Sequence, residues 1–153
     1  MKTSVFLIED EPDFGKILMH VLNKHPLLDV AGWAPSMAEA KSHIDQNEND
    51  VFLVDTSLPD GSGIDVMRYI KERQPQAKIL ALSTLGDEKH ILSSLQAGAS
   101  GYLLKSHTSS HLIESIVSLV NGGGYLCAHA SKVLIERLIN TAQVPWYAIN
   151  DEP

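Results

Sequence analysis

The sequence predicts a doubly wound α/β protein, a parallel five-stranded sheet with helices on both faces, and three observations carry that reading. Short apolar runs alternate with stretches of helical periodicity through residues 4–121. The runs at residues 4–8, 51–54, 78–83 and 101–104 are largely apolar throughout rather than alternating, as in strands covered by helices on both sides. These same four runs deliver polar residues at their ends: Asp10, Asp55, Ser83 and Lys105. Ligands of such sheets sit beyond the carboxyl ends of the strands, so the four residues converge on one edge.

Each element has its own signal. Ser4-Val5-Phe6-Leu7-Ile8 is the first strand and runs into Glu9-Asp10-Glu11-Pro12-Asp13. From there Phe14, Ile17, Leu18, Val21 and Leu22 recur at helical spacing until Lys24-His25-Pro26 stops the helix. Residues 27–34 (LLDVAGWA) read as the second strand, and Ser36-Met37-Ala38-Glu39 has the form of a capping box that opens the second helix. The third strand, Val51-Phe52-Leu53-Val54, ends on Asp55 and is followed by the turn Leu58-Pro59-Asp60-Gly61. Ile64, Val66, Met67 and Ile70 mark a third helix that stops before Gln74-Pro75. After the strand at 78–83 comes a helix at about 87–97 with Gly98 as its C-terminal cap. The strand at 101–104 then leads to a helix at about 108–120, closed by Gly122-Gly123-Gly124. Every crossover is expected to be right-handed.

Composition narrows the function classes. A net charge of -7 argues against this chain gripping a phosphate backbone, because that affinity comes from clustered Lys and Arg. The single Cys127 has no internal disulfide partner, and residues 1–20 lack the order of a signal peptide. No apolar run approaches a membrane span, so a reduced, cytoplasmic protein without a membrane partner is expected.

Taken singly, the candidate residues have ordinary readings. A strand-ending Asp often only starts a turn, a Lys after a strand is usually solvated, and Tyr102 would be a half-buried strand aromatic with a wet hydroxyl. Glu9, Asp10, Glu11 and Asp13 could form a solvated charge run. Their shared position at one sheet edge makes them a site instead. His107 and His111 stand four apart, but no Cys or acid completes a metal site there, so they read as exposed helix residues. No G-x-G-x-x-G follows the first strand, which leaves nucleotide binding without support.

With Glu9-Asp10, Asp55 and its Leu58-Pro59-Asp60-Gly61 turn, Ser83, and Ala97-Gly98-Ala99-Ser100-Gly101-Tyr102-Leu103-Leu104-Lys105 in order, the chain resembles the receiver domain of two-component response regulators over about residues 3–121. The resemblance implies a flavodoxin-like (βα)5 fold, strand order 2-1-3-4-5. It implies that Asp55 accepts a phosphoryl group from a sensor histidine kinase or a phosphotransfer protein. Two unit charges about 4 Å apart repel by roughly 4 kcal/mol at an effective dielectric of about 20, so clustered carboxylates need a cation. Mg2+ suits an all-oxygen site that also receives phosphate. Asp10, Asp55 and the Ser57 backbone carbonyl are the implied direct ligands, with Glu9 acting through water. Lys105 supplies positive charge to the phosphoryl oxygens. Ser83, rather than Thr84, donates to the phosphoryl group, and Tyr102 turns inward in response. The expected consequence is a change on the face of the fourth helix, fifth strand and fifth helix, around Leu85, Leu95, Tyr102 and Leu112. Such a protein is a self-phosphorylating switch with slow dephosphorylation, not a turnover enzyme. The chain departs from the family in having Ser106 where many receivers carry proline.

Three alternatives stand beside this: a stand-alone receiver, a phosphorylation-independent pseudo-receiver, and a Mg2+-dependent phosphohydrolase. The last resembles haloacid-dehalogenase-like enzymes, which carry a second Asp two positions after the first; that position is Ser57.

Residues 1–121 are expected to form the receiver and 122–153 a linker with a helix at about 130–141 and a flexible tail. Val133, Leu134, Arg137, Leu138 and Ile139 build a stripe that needs a packing partner, since a lone helix this short is marginal in water. The segment resembles the linker of NarL/LuxR-type transcription regulators. That resemblance implies a truncated regulator whose helix-turn-helix is missing here, with phosphorylation-dependent homodimers mediated by the helix.

Overall fold

In the computed structural model, residues 2–141 are described; the predicted tail at 144–153 lies outside them. The principal sheet contains β1 (Thr3–Ile8), β2 (Leu28–Ala34), β3 (Val51–Asp55), β4 (Lys78–Ser83), β5 (Gly101–Leu104) and β6 (Tyr125–Leu126). They are ordered β2-β1-β3-β4-β5-β6, every neighbouring pair parallel. The helices are α1 (Pro12–Asn23), α2 (Met37–Gln46), α3 (Gly63–Arg73), α4 (Glu88–Gln96), α5 (Thr108–Val120) and α6 (Ala128–Thr141).

The predicted order is present, with one strand more than the sequence suggested. Tyr125–Leu126, read as the start of a linker, pairs with Gly101 and Tyr102 at the β5 edge. Two residues are too few to show a period, and their strand conformation comes from the partner edge they meet.

Burial follows the patterning. All five β3 residues are buried, as are Val5 to Ile8 and Ile79 to Ser83, because helices cover both faces. The edge strand β2 alternates. Ser36 accepts a hydrogen bond from the Glu39 N–H at 3.2 Å, as the capping box requires, while Gly98 ends α4 with φ +113, a conformation that disfavours side chains. No peptide bond is cis among the described residues, Lys105-Ser106 included; Lys105–His107 instead forms a 3₁₀ turn that feeds α5.

The loop after β3 is held from outside its own sequence. Ser57–Leu58 and Gly61–Ser62 form a small antiparallel ladder, and the Asp60 carboxylate accepts from the Met37 and Ala38 N–H groups at 2.7 and 3.0 Å. These two bonds hold the Asp60 carboxyl below its usual range and cap α2. The residues beside Asp55 are thereby tied to a helix terminus more than twenty positions away.

Candidate functional site

Strand register brings three of the four converging residues, Asp55, Ser83 and Lys105, to one level with Glu9, and Asp10 follows Glu9 directly. Ile8 pairs with Val54, Asp55 with Leu82, and Ser83 with Leu104, so Glu9, Asp55, Ser83 and Lys105 leave adjacent strands within one residue of each other. Glu9, Asp10 and Asp55 can each place a carboxylate oxygen within 4.8 Å of the others. Lys105 Nζ donates to Glu9 Oε2 at 2.9 Å, to Asp55 Oδ2 at 3.0 Å and to Glu11 Oε1 at 3.0 Å. It also lies 5.1 Å from the centre of the Phe14 ring.

Burial makes this a tense arrangement. Glu9 is fully buried and Asp55 nearly so. Asp55 is pushed up to about 8, first by desolvation, then by its contact with Asp10 and by the Glu9 charge; the Ser57 N–H at 3.0 Å and Lys105 act the other way. For Lys105, burial alone pulls downward, but its bonds to Glu9, Asp55 and Glu11 outweigh that and hold the ammonium above the ordinary lysine range.

The donor set fits a hard divalent cation. All three side chains offer oxygen, and Glu9 Oε1 is buried with no hydrogen-bond partner among the described residues. Such an orphan acceptor is costly unless something positive faces it.

Ser83 is buried whereas Thr84 is exposed. Its Oγ accepts from Thr56 Oγ1 at 2.9 Å and from the Leu85 N–H at 3.0 Å. Tyr102 is fully buried, and its hydroxyl donates to the Leu85 carbonyl. The half-buried, wet alternative for Tyr102 is therefore excluded: burial raises the phenol above its usual range. Of the four residues expected on the responsive face, Leu112 is also fully buried and Leu95 partly so, leaving Leu85 the exposed one at 47%. His107 and His111 are exposed, as expected.

Several supports were invisible to sequence reading. Glu11, seen only as part of a charge run, is the third partner of Lys105. Thr56 reaches Ser83 across adjacent strands. Trp33 Nε1–H donates to the Glu9 carbonyl at 2.7 Å, fixing the end of β1. Gly63 lies under Asp55: a Cβ there would come within 1.7 Å of the Asp55 carbonyl oxygen and 2.9 Å of Thr56 Cα. The charge run that contains Glu11 and the loop that ends at Gly63 were the sequence signals for these; Thr56 and Trp33 had none.

Gly63→Ala is accordingly a sharp test of this packing. In an unstrained helix position the change stabilises by about 0.4–1 kcal/mol through the unfolded chain. Here backbone must move, and overpacking of this kind costs about 1–3 kcal/mol. A net loss of stability in urea unfolding is expected; a gain would show that the contact is not constraining.

A parallel α/β sheet with an acid cluster and a buried lysine at its carboxyl edge defines a class, the doubly wound proteins whose candidate site lies beyond the strand ends. The particular family follows from comparison: residues 5–117 match the response regulator receiver domain, and the chain belongs to that family. It is similar to the DNA-binding transcriptional activator DevR/DosR of Mycobacterium tuberculosis (strain ATCC 25618 / H37Rv), with 32% identity over 139 residues, 91% of this chain and 64% of the relative. It is also similar to the transcriptional regulatory protein DegU of Brevibacillus brevis, with 30% identity over 142 residues, 91% of this chain and 60% of that one. The matches thus span less than two thirds of these relatives' length. Among solved structures, a LuxR-family two-component response regulator from Aurantimonas sp. SI85-9A1 has a TM-score of 0.84 at 24% identity, covering 90% of this chain and 99% of that one. The isolated receiver domain of RcsB from Salmonella enterica serovar Typhimurium, solved with the phosphomimetic BeF3-, has a TM-score of 0.80 at 20% identity, covering 87% and 99%. These structural likenesses concern the fold. No helix among the described residues is long and apolar enough to cross a membrane.

Proposed function

We propose that this chain is the phosphoacceptor module of a two-component response regulator, phosphorylated on Asp55 in a Mg2+-dependent reaction by a sensor histidine kinase or a phosphotransfer protein. The observation that carries the reading is Lys105 Nζ held 3.0 Å from Asp55 Oδ2 beside two further clustered acids. A phosphohydrolase is disfavoured because Ser57, not an acid, stands two positions after Asp55.

In this reading Asp10, Asp55 and the Ser57 carbonyl hold Mg2+, with Glu9 assisting through water. Mg2+ held there would offset the carboxylate charge and supply Lewis-acid polarisation of the phosphoryl group. An Asp55 carboxylate oxygen forms a P–O bond as the P–N bond of a phosphohistidine breaks, and the imidazole leaves. Lys105 exchanges a carboxylate contact for a phosphoryl oxygen, stabilising charge that builds in transfer. The Ser83 hydroxyl donates to the phosphoryl group and carries the change to residues 84–86 and Tyr102. Output is a change in self-association and, through a separate DNA-binding domain, transcription regulation. The names of the relatives and their greater length support that output, and the net charge of -7 assigns DNA contact elsewhere. Ile135, Leu138 and Ile139 on the outer face of α6 are 57%, 68% and 68% exposed, which supports that helix as a dimer contact.

The test is a Mg2+ titration followed by mass spectrometry of protein treated with a small-molecule phosphodonor. Asp10→Ala is expected to weaken Mg2+ binding at least tenfold. An unchanged titration removes Asp10 from the site, and labelling that ignores Mg2+ refutes the metal-dependent mechanism.

A further inference from the structure

The residues that answer to Asp55 are themselves gripped by the last helix. Segment 84–86 has three anchors. The Leu85 N–H donates to Ser83 Oγ, the Leu85 carbonyl accepts from the Tyr102 hydroxyl, and the Gly86 carbonyl accepts from His129 Nε2–H at 2.6 Å. His129 lies in the first turn of α6 and is packed so closely that a Cβ on Gly86 would come within 2.5 Å of its ring. About two turns further along α6, Arg137 pairs with Glu88, the first residue of α4, at 3.2 Å. Between these contacts Ala130 is fully buried, and Val133 and Leu134 are packed on the core. β6 completes the attachment: Cys127 N–H donates to the Tyr102 carbonyl at 3.1 Å.

We propose that α6 is an intramolecular latch on segment 84–86 and α4, and that docking of α6 and phosphoryl occupancy of Asp55 oppose each other. The inference rests on the reading of Asp55 as the phosphoacceptor. Ser83 Oγ already accepts two hydrogen bonds, from Thr56 and from Leu85. Its own proton remains free to donate to a phosphoryl group on Asp55, and as Ser83 is pulled toward the site the Leu85 anchor draws segment 84–86 with it. The Gly86 carbonyl then leaves His129, whose position is set by the rest of α6. The latch is built to release. Its hydrogen bond is exposed, and the Arg137–Glu88 pair is 45% exposed on both sides, a class of contact that contributes little. Release uncovers Ala130, Val133 and Leu134, so the helix gains a second apolar face. Linkage makes the effect reciprocal: whatever loosens α6 must tighten binding at Asp55 by the same factor.

The experiment uses the full chain with Mg2+ and beryllofluoride as the phosphoryl mimic. Fluorine NMR reports binding, and hydrogen exchange reports the protection of residues 128–140. Wild type is expected to bind the mimic and to lose protection in α6 by at least about fivefold, within the ordinary range of coupling between sites. Ser83→Ala loses a hydrogen bond to the mimic and is expected to bind it more weakly, yet to keep α6 protected when compared with wild type at equal occupancy by fluorine NMR. His129→Ala combined with Arg137→Ala is expected to show low protection from the start and to bind the mimic about fivefold more tightly. Bound mimic with unchanged or greater protection in wild type overturns the latch while leaving the phosphoacceptor reading intact. Equal release in Ser83→Ala overturns the relay through segment 84–86. Failure of wild type to bind the mimic overturns the phosphoacceptor reading, and the latch with it.

Discussion

Asp55→Asn is expected to abolish labelling by a small phosphodonor in the presence of Mg2+, the largest effect of any single substitution. In the proposed reaction the carboxylate is the nucleophile, and an amide at the same position is neither anionic nor able to form a stable acyl phosphate. Asn also replaces an acid whose ionisation burial and the neighbouring Glu9 and Asp10 oppose, so the protein should remain folded and be at least as stable as wild type without metal. Intact protein mass after treatment with the donor, read beside a thermal melt, separates the two effects. Labelling of the variant at the wild-type rate would mean that another residue is the acceptor.

Metal-free stability is expected to fall as pH rises from about 4 to about 8, and Mg2+ is expected to reverse the fall. The sign follows from Asp55, whose carboxyl is raised from 3.8 to about 8 in the folded protein, chiefly by burial. Above the unfolded value the unfolded chain releases this proton while the folded one keeps it. Folding therefore becomes progressively less favourable until the folded group also ionises. Its stabilising share is complete below the unfolded value and is lost as pH rises through that window. A divalent cation takes the place of the proton and binds the folded state alone, so its stabilisation grows with pH. Lys105→Met should steepen the metal-free decline, because Glu9 and Asp55 lose the ammonium that donates to both. Breaking a buried pair by removing one partner costs about 3–5 kcal/mol. Chemical denaturation at several pH values, with EDTA and with excess Mg2+, checks the prediction. A flat metal-free profile between pH 5 and 8 would refute the assignment of Asp55 as the strained acid.

The sequence alone was sufficient for five strands of the sheet, its helices and the converging residues, because each rests on a local pattern. A strand buried on both faces must be continuously apolar, so Val51 to Val54 announced β3 and the residue after it announced the site. Asp10, Asp55, Ser83 and Lys105 were legible for the same reason: parallel register translates a strand end in sequence into a shared edge in space. What the tertiary structure decided is everything that depends on a partner distant in the chain. Glu11 looked like any solvated acid until Lys105 was placed 3.0 Å away. Gly63 belonged to a loop until the Asp55 carbonyl was found where its Cβ would be. Tyr102 had two readings, half-buried with a wet hydroxyl or turned inward, and the Leu85 carbonyl that takes its hydroxyl chose between them. Tyr125 and Leu126 carry too short a pattern to be strands by themselves; the open edge of β5 makes them one. α6 showed an apolar stripe, but a helical period says which residues share a face and not what that face meets. That Val133 and Leu134 pack on this chain while Ile135, Leu138 and Ile139 look outward was settled by packing, which no local pattern encodes.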